Sequence, residues 1–347
     1  MDKENIFKKL PEALLPWYDR SHRDLPWRGE KDPYRIWLSE IMLQQTRVEA
    51  VKGYYARFLD AIPSIEALAE ADDELLHKLW QGLGYYSRVR NLKKAAGQIV
   101  ERHNGVFPKE YRDVLALAGI GAYTAGAVCS IAFDQPTPAV DGNVLRVAAR
   151  LWDDATPIEG LKPAVQAALE KIYPGRAGDF TQALMELGAT VCGPNRKPDC
   201  ENCPCKGFCL GYARGTADAL PVRTPKKERK IEEKTVFILS CDGHYALQKR
   251  PDKGLLAGLW QFPNVSGKLN MADAVSEVEK MGLKTAEIIK QVERKHIFTH
   301  IEWRVSGIYV EVKEQKGEFS WLTVEQINRQ AALPTAFYQF WEETGNV

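Results

Sequence analysis

The sequence predicts a multi-domain protein, an all-α domain followed by a smaller α+β domain. Three observations predict it. At 347 residues the chain exceeds one compact core of ordinary size. Up to about Ala219 apolar residues recur at helical spacing, with almost no strand-like alternation. Beyond the polar, basic stretch Pro221–Val222–Arg223–Thr224–Pro225–Lys226–Lys227–Glu228–Arg229–Lys230, β-branched and aromatic runs take over. The expected boundaries are 1–219 for the helical domain, 220–234 for the linker and 235–347 for the second domain.

In chain order, the periodicity predicts helices over 34–51, 73–81, 86–102, 122–133, 142–152 and 161–172. Pro108, Gly119, Gly121 and Pro136 punctuate them. After the linker, 235–239 and 245–248 read as strands joined by a hairpin turn at Asp242–Gly243. Residues 303–312 are a further strand, and helical segments over 272–281 and 323–329 interrupt the strands.

Composition narrows the function classes. The apolar share is 45% and the charged share 27%, as in soluble globular proteins. The net charge is +1, so a nucleic-acid partner must meet one locally basic face. The charged start MDKENIFKKL carries no apolar signal core, and no run is long enough to cross a bilayer. A cytoplasmic monomer without disulfides or membrane contact is expected. Cys129 and Cys241, in apolar surroundings, read as buried thiols.

The other five cysteines, Cys192, Cys200, Cys203, Cys205 and Cys209, fall within one short loop. Thiols at such spacing suggest a metal or iron–sulfur site, and spacing does not decide iron over zinc. Upstream, Leu117–Ala118–Gly119–Ile120–Gly121–Ala122–Tyr123–Thr124–Ala125 places a Gly-x-Gly turn at the start of a helix. Such a turn offers backbone N–H groups to a phosphate. A plain helical corner with a glycine cap is the blander alternative.

Taken with the cysteine loop downstream, the turn resembles the helix-hairpin-helix motif of the endonuclease III-like superfamily. The resemblance is closest to adenine DNA glycosylases of the MutY type and covers nearly the whole chain. It rests on Leu25–Pro26–Trp27–Arg28, Ser39–Glu40–Ile41–Met42–Leu43–Gln44–Gln45–Thr46–Arg47–Val48, Trp80–Gln81–Gly82–Leu83–Gly84–Tyr85–Tyr86–Ser87–Arg88 and Val140–Asp141–Gly142–Asn143–Val144. It implies a [4Fe–4S] cluster on Cys192, Cys200, Cys203 and Cys209, within 192–209. The gap from Cys192 to Cys200 is one residue longer than the family's, and Cys205 is an extra thiol. Arg196, Lys197 and Lys206 are placed to reach phosphate.

Cleaving an N-glycosidic bond calls for a protonated leaving base and a stabilised oxocarbenium-like sugar, and two carboxyl groups of different pKa meet both needs. Glu40 has Ile36, Trp37 and Leu43 on its helical face, so burial would raise its pKa. From that segment alone a solvated glutamate is the plainer reading; the resemblance makes Glu40 the general acid. Asp141 precedes an apolar helix and suits an N-cap, a position that favours its ionised form. The resemblance makes it the carboxylate beside the sugar cation, with Tyr123 and Asn143 in support. Bifunctional relatives carry lysine where this chain has Tyr123, so a monofunctional enzyme is expected. Gln45 and Tyr85 match the family's inserting residues. Arg28, Arg47 and Arg88, with Gly119 and Gly121, are expected on the DNA-binding surface.

In the second domain, Leu255–Leu256–Ala257–Gly258–Leu259–Trp260–Gln261–Phe262–Pro263 resembles the family's Nudix-like domain. The Arg-Glu-x-x-Glu-Glu metal motif of true Nudix hydrolases is missing, although Glu277 and Glu279 stand in the corresponding region. The family's 8-oxoguanine-reading loop corresponds to Phe298–Thr299–His300, where threonine keeps the hydroxyl of the usual serine. The expectation is therefore a base-excision glycosylase releasing adenine opposite 8-oxoguanine or guanine in double-stranded DNA. Its rivals are a non-catalytic helix-hairpin-helix DNA-binding or redox-sensing protein and a bifunctional pyrimidine-lesion glycosylase/lyase.

Overall fold

The computed structural model describes residues 2–194, 197–225 and 228–346. The chain forms two compact units, one from 1–70 and 90–225, the other from 71–89 and 226–347. The second unit thus includes a helical segment expected in the first. No helix among the described residues is long and apolar enough to cross a membrane.

The first unit opens with α1 (Lys3–Lys8), α2 (Leu10–Ser21), α3 (Pro33–Leu43), α4 (Val48–Ala61) and α5 (Ile65–Glu70). One helix was expected over 34–51; two form. Asp32 caps α3 through the Tyr34 N–H, with Pro33 in its first turn. At the other end Gln45 takes φ +60°, which no α-helix continues through. Next, in the second unit, comes α6 (Asp73–Leu79), and α7 (Ser87–His103) carries the chain back to the first. There follow α8 (Tyr111–Leu115), α9 (Ala122–Phe133), α10 (Gly142–Trp152), α11 (Ile158–Glu170), α12 (Ala177–Thr190) and, past the cysteine loop, α13 (Leu210–Ala213). Both α9 and α10 stop at an aspartate with positive φ, Asp134 and Asp153.

A core built from Phe7, Leu10, Leu14, Val147, Leu151, Val165, Leu169, Phe180 and Leu187 ties α1 and α2 to α10, α11 and α12, and Cys205 and Cys209 complete it. Gly188 on α12 lies so close to α10 that a Cβ there would sit 2.6 Å from the Cβ of Asn143. Gly188→Ala is expected to cost about 1–3 kcal/mol by overpacking. Denaturant unfolding checks this, and an unchanged midpoint would mean that the two helices part freely.

The second unit is a mixed sheet with helices on both faces. Its strands are β1 (Lys230–Cys241), β2 (His244–Lys249), β3 (Trp260–Gln261), β4 (Asn264–Ser266), β5 (Thr285–Ile297), β6 (Ile301–Val312) and β7 (Ser320–Thr323). The order is β3-β2-β1-β6-β5, with β4 on β1 and β7 on β2. β1 begins at Lys230, inside the stretch expected to be linker, because it pairs in parallel with β6 from that residue on. The hairpin turn at Asp242–Gly243 forms, both residues having positive φ. Where both faces are buried, residues 235–239 of β1 and 305–310 of β6 carry no charged side chain. Val236 and Ile238 face α15 (Val324–Gln330) and α16 (Thr335–Glu342), while Phe237 and Leu239 face α14 (Met271–Lys280).

Candidate active site and cysteine loop

Three helices of the first unit bring the carboxyl groups together. Glu40 sits on α3 and is 6% exposed. Its Oε2 accepts a 2.5 Å hydrogen bond from the Tyr123 hydroxyl in the first turn of α9. That hydroxyl also lies 3.9 Å from the Met185 sulfur on α12. Burial pushes the Glu40 carboxyl up to about 7, against the pull of the Tyr123 hydrogen bond, and the negative Asp141 adds to the rise. Tyr123 is held well above its ordinary value by burial and by the two carboxylates, so it remains a donor.

Asp141 is the N-cap of α10, as its position before an apolar helix implies. Its Oδ1 accepts from the Val144 N–H at 2.8 Å and its Oδ2 from the Asn143 amide at 2.6 Å. Burial raises the Asp141 carboxyl, while both donors and the Arg146 charge pull it down. Glu40, Tyr123, Asp141 and Asn143 thus form one constellation, with a protonatable acid and a hydrogen-bonded carboxylate as its two poles.

A second polar group beside Glu40 had no place in the sequence reading. Glu186 on α12 is 1% exposed and accepts from Arg23 Nε at 2.7 Å and from Arg28 Nη2 at 2.7 Å. Burial alone would raise this carboxyl, yet the two arginines hold it below the ordinary range. Arg28 also donates to Gln182 Oε1 at 2.8 Å and stacks over Tyr18. Arg28 was expected on the phosphate-binding surface; it is half-buried, its guanidinium held by the buried Glu186 carboxylate. Its charge is near enough to lower the Glu40 carboxyl. The available signal was a lone acid within the apolar run Ala183–Leu184–Met185–Glu186–Leu187, the pattern that marked Glu40.

The Gly-x-Gly turn lies immediately before α9. Gly119 takes φ +73°, and a Cβ there would meet the Asn91 side chain at 2.5 Å. Gly121 is the N-cap of α9, and no side chain caps that end of the helix. Gln45 and Arg47 are exposed in the turn between α3 and α4.

In the second unit, Tyr85 is 48% exposed with φ +47°. Its hydroxyl lies 3.1 Å from Thr299 Oγ1. Thr299 and His300 are exposed at the turn between β5 and β6, and Phe298 packs edge-on against His296 and Trp303. Arg88 was expected to meet phosphate. Instead it is 8% exposed, bonded to the carbonyls of Leu83 and Gly84 and stacked on Trp80, so it holds the turn that presents Tyr85.

The loop thiols Cys192, Cys200, Cys203, Cys205 and Cys209 line one cavity. Among the described residues no three potential ligands converge on the point a single ion would occupy. Arg150 Nη1 lies 3.2 Å from the Cys192 sulfur and would balance thiolate charge. The Cys192 carbonyl accepts from Arg150 Nη1 at 3.0 Å and from Arg146 Nε at 2.8 Å. Arg146 Nη2 in turn bonds Asn143 Oδ1 at 2.8 Å, so Asp141, Asn143, Arg146 and Cys192 form one continuous chain of hydrogen bonds. Lys206 pairs with Glu201, Lys197 is exposed, and Arg196 lies outside the described residues.

A family model described as HhH-GPD superfamily base excision DNA repair protein matches residues 38–174. One described as a NUDIX domain matches residues 235–343. The chain is similar to the adenine DNA glycosylase of Arabidopsis thaliana, at 38% identity over 89% of this chain and 58% of the plant protein's length. It is 35% identical to the adenine DNA glycosylase of Mus musculus, over 96% of this chain and 74% of the mouse protein. Among solved structures, a thermostable thymine-DNA glycosylase matches with a TM-score of 0.56 at 30% identity, over 61% of this chain and 100% of that one. A trapped endonuclease III–DNA covalent intermediate shares the fold, with a TM-score of 0.52 at 24% identity over 62% of this chain and 99% of that one.

Proposed function

The chain belongs to the adenine DNA glycosylase family, within the HhH-GPD superfamily of base excision DNA repair proteins, and on that premise we propose that it hydrolyses the N-glycosidic bond of adenine mispaired with 8-oxoguanine or guanine in duplex DNA. The observation that carries this reading is the 2.5 Å hydrogen bond from Tyr123 to a buried Glu40 whose carboxyl is pushed up to about 7. With Oε2 accepting from Tyr123, the Glu40 proton resides on Oε1, free for the departing base. Asp141, its two oxygens steadied by Val144 and Asn143, offers negative charge to the oxocarbenium-like sugar. Arg28, Gln182 and Glu186 form a fixed polar wall beside the acid, suited to reading the edge of an extruded base.

Gln45 and Tyr85 serve as wedges, and α9 and Arg47 take phosphates. The Thr299 hydroxyl, held at 3.1 Å from that of Tyr85, reads the 8-oxoguanine with Phe298 and His300 beside it. Cys192, Cys200, Cys203 and Cys209 would hold a [4Fe–4S] cluster, whose contribution is to fix the loop below α12. Arg150 and Arg146 anchor that loop from the protein side.

Tyr123 cannot form the Schiff base that an amine would. Incubation with an A:8-oxoguanine duplex should therefore release free adenine and leave an uncut abasic strand, cleaved only after alkali. Borohydride should trap no adduct. Spontaneous nicking with a trapped adduct would overturn the reading in favour of a lyase. Failure to release adenine would overturn it in favour of a binding protein.

A further inference from the structure

Five thiols surround a cavity for which a four-ligand cluster needs four. Cys205 is 0% exposed, packs in the same core as Cys209, and lines the same cavity as the other four. It stands two residues from Cys203 at the start of a short 3₁₀ turn, Lys206–Phe208, whose Phe208 N–H bonds the Cys205 carbonyl at 3.1 Å. The Lys206 N–H bonds the Cys203 carbonyl, also at 3.1 Å, so both cysteines belong to one tight turn. Cys203 and Cys205 thus line the same cavity from one turn. A buried thiol so close in sequence to a ligand and lining the same cavity can take that ligand's place with a small rotation of the turn. Exchange balances simply: the Cys205 thiolate forms an iron–sulfur bond, the Cys203–iron bond breaks, and the Cys205 proton passes to the Cys203 sulfur.

We propose that Cys205 is a reserve ligand of the cluster, able to replace its sequence neighbour Cys203. Cys203 is the ligand nearest Cys205 in sequence, whereas Cys200 lies three residues further upstream, Cys192 beyond the long first gap and Cys209 past the 3₁₀ turn. The proposal rests on the loop holding an iron–sulfur cluster, and the test separates the two claims.

The full-length protein and the variants Cys200→Ala, Cys203→Ala, Cys205→Ala and Cys203→Ala/Cys205→Ala are purified without oxygen. Iron, sulfide and the visible absorbance of the cluster are then measured. The expected pattern is near parental iron in Cys203→Ala and Cys205→Ala, and loss in Cys200→Ala and in the double variant. A Cys203→Ala protein as iron-poor as Cys200→Ala overturns the proposal. A parent without iron and sulfide overturns the cluster itself. Should Cys203→Ala fail to fold, the parent still decides: iodoacetamide labelling on warming, read by mass spectrometry, should divide between Cys203 and Cys205. Labelling confined to Cys205 overturns the exchange.

Discussion

A Glu40→Gln protein is expected to release adenine about 10²–10⁴-fold more slowly than the parent while binding the same duplex with unchanged affinity. Glutamine matches glutamate in size and still accepts the Tyr123 hydrogen bond, so the loss isolates the proton. The parent's own pH profile carries the same information. With the Glu40 carboxyl at about 7, the protonated fraction falls as pH rises through that value, and the single-turnover rate should fall with it, approaching tenfold per pH unit. Stability should fall over the same range. The folded carboxyl binds its proton more tightly than the unfolded one, whose ordinary value is 4.5. The stability it contributes is complete below that value and is lost as pH rises through about 7, a loss of about 3 kcal/mol. Glutamine carries no such penalty, so Glu40→Gln should unfold later than the parent at pH 8, with the gap closing toward pH 5. Single-turnover assays and thermal unfolding at both pH values test this. A variant that is inactive and also less stable at pH 8 would recast Glu40 as a packing residue.

Much of this site was legible because its residues sit where local rules are strong. The helix boundaries at Ala122–Phe133 and Gly142–Trp152 follow from an apolar run opened by Gly121 and by the Asp141 cap. The Asp242–Gly243 turn is a local signal that no tertiary contact overrides. Positive φ at Gln45 was not legible, because glutamine rarely adopts it and an apolar period runs on through the break. Arg28 and Arg88 were misplaced for a common reason. Exposed arginine is the default, and the partners that bury these two are a carboxylate on α12 and carbonyls of a neighbouring turn. Glu186 offered the signal of a lone acid in an apolar run, but its partners Arg23 and Arg28 lie far away in sequence, so its pairing was not legible. In the second unit, the packing of residues 71–89 against α15 depends on Lys78 reaching the Ile327 and Ala331 carbonyls, contacts no local pattern encodes.

Asp141→Asn is expected to leave the fold intact and to slow adenine release by about 10²–10³-fold. Asparagine caps a helix as well as aspartate does, so the Val144 N–H keeps an acceptor and α10 should still form, at a midpoint lowered only by the lost Asn143 bond. What disappears is the negative charge and one of two acceptor oxygens. The Asn143 amide, now donating at 2.6 Å to the second oxygen, would meet either an amide nitrogen or nothing. An uncharged group cannot stabilise a sugar cation by charge or trap it covalently. The acid side of the pH profile tests the same residue. Burial raises the Asp141 carboxyl from its ordinary value, so the parent's rate should fall as acid protonates it, while Asp141→Asn should lack that limb. Together with the alkaline limb from Glu40, the parent profile is a bell bounded by an ionised Asp141 and a protonated Glu40. An Asp141→Asn protein that keeps the parental rate would remove the carboxylate from the chemistry and leave it a cap. One that loses its unfolding midpoint along with its rate would show that capping and catalysis cannot be separated at this position.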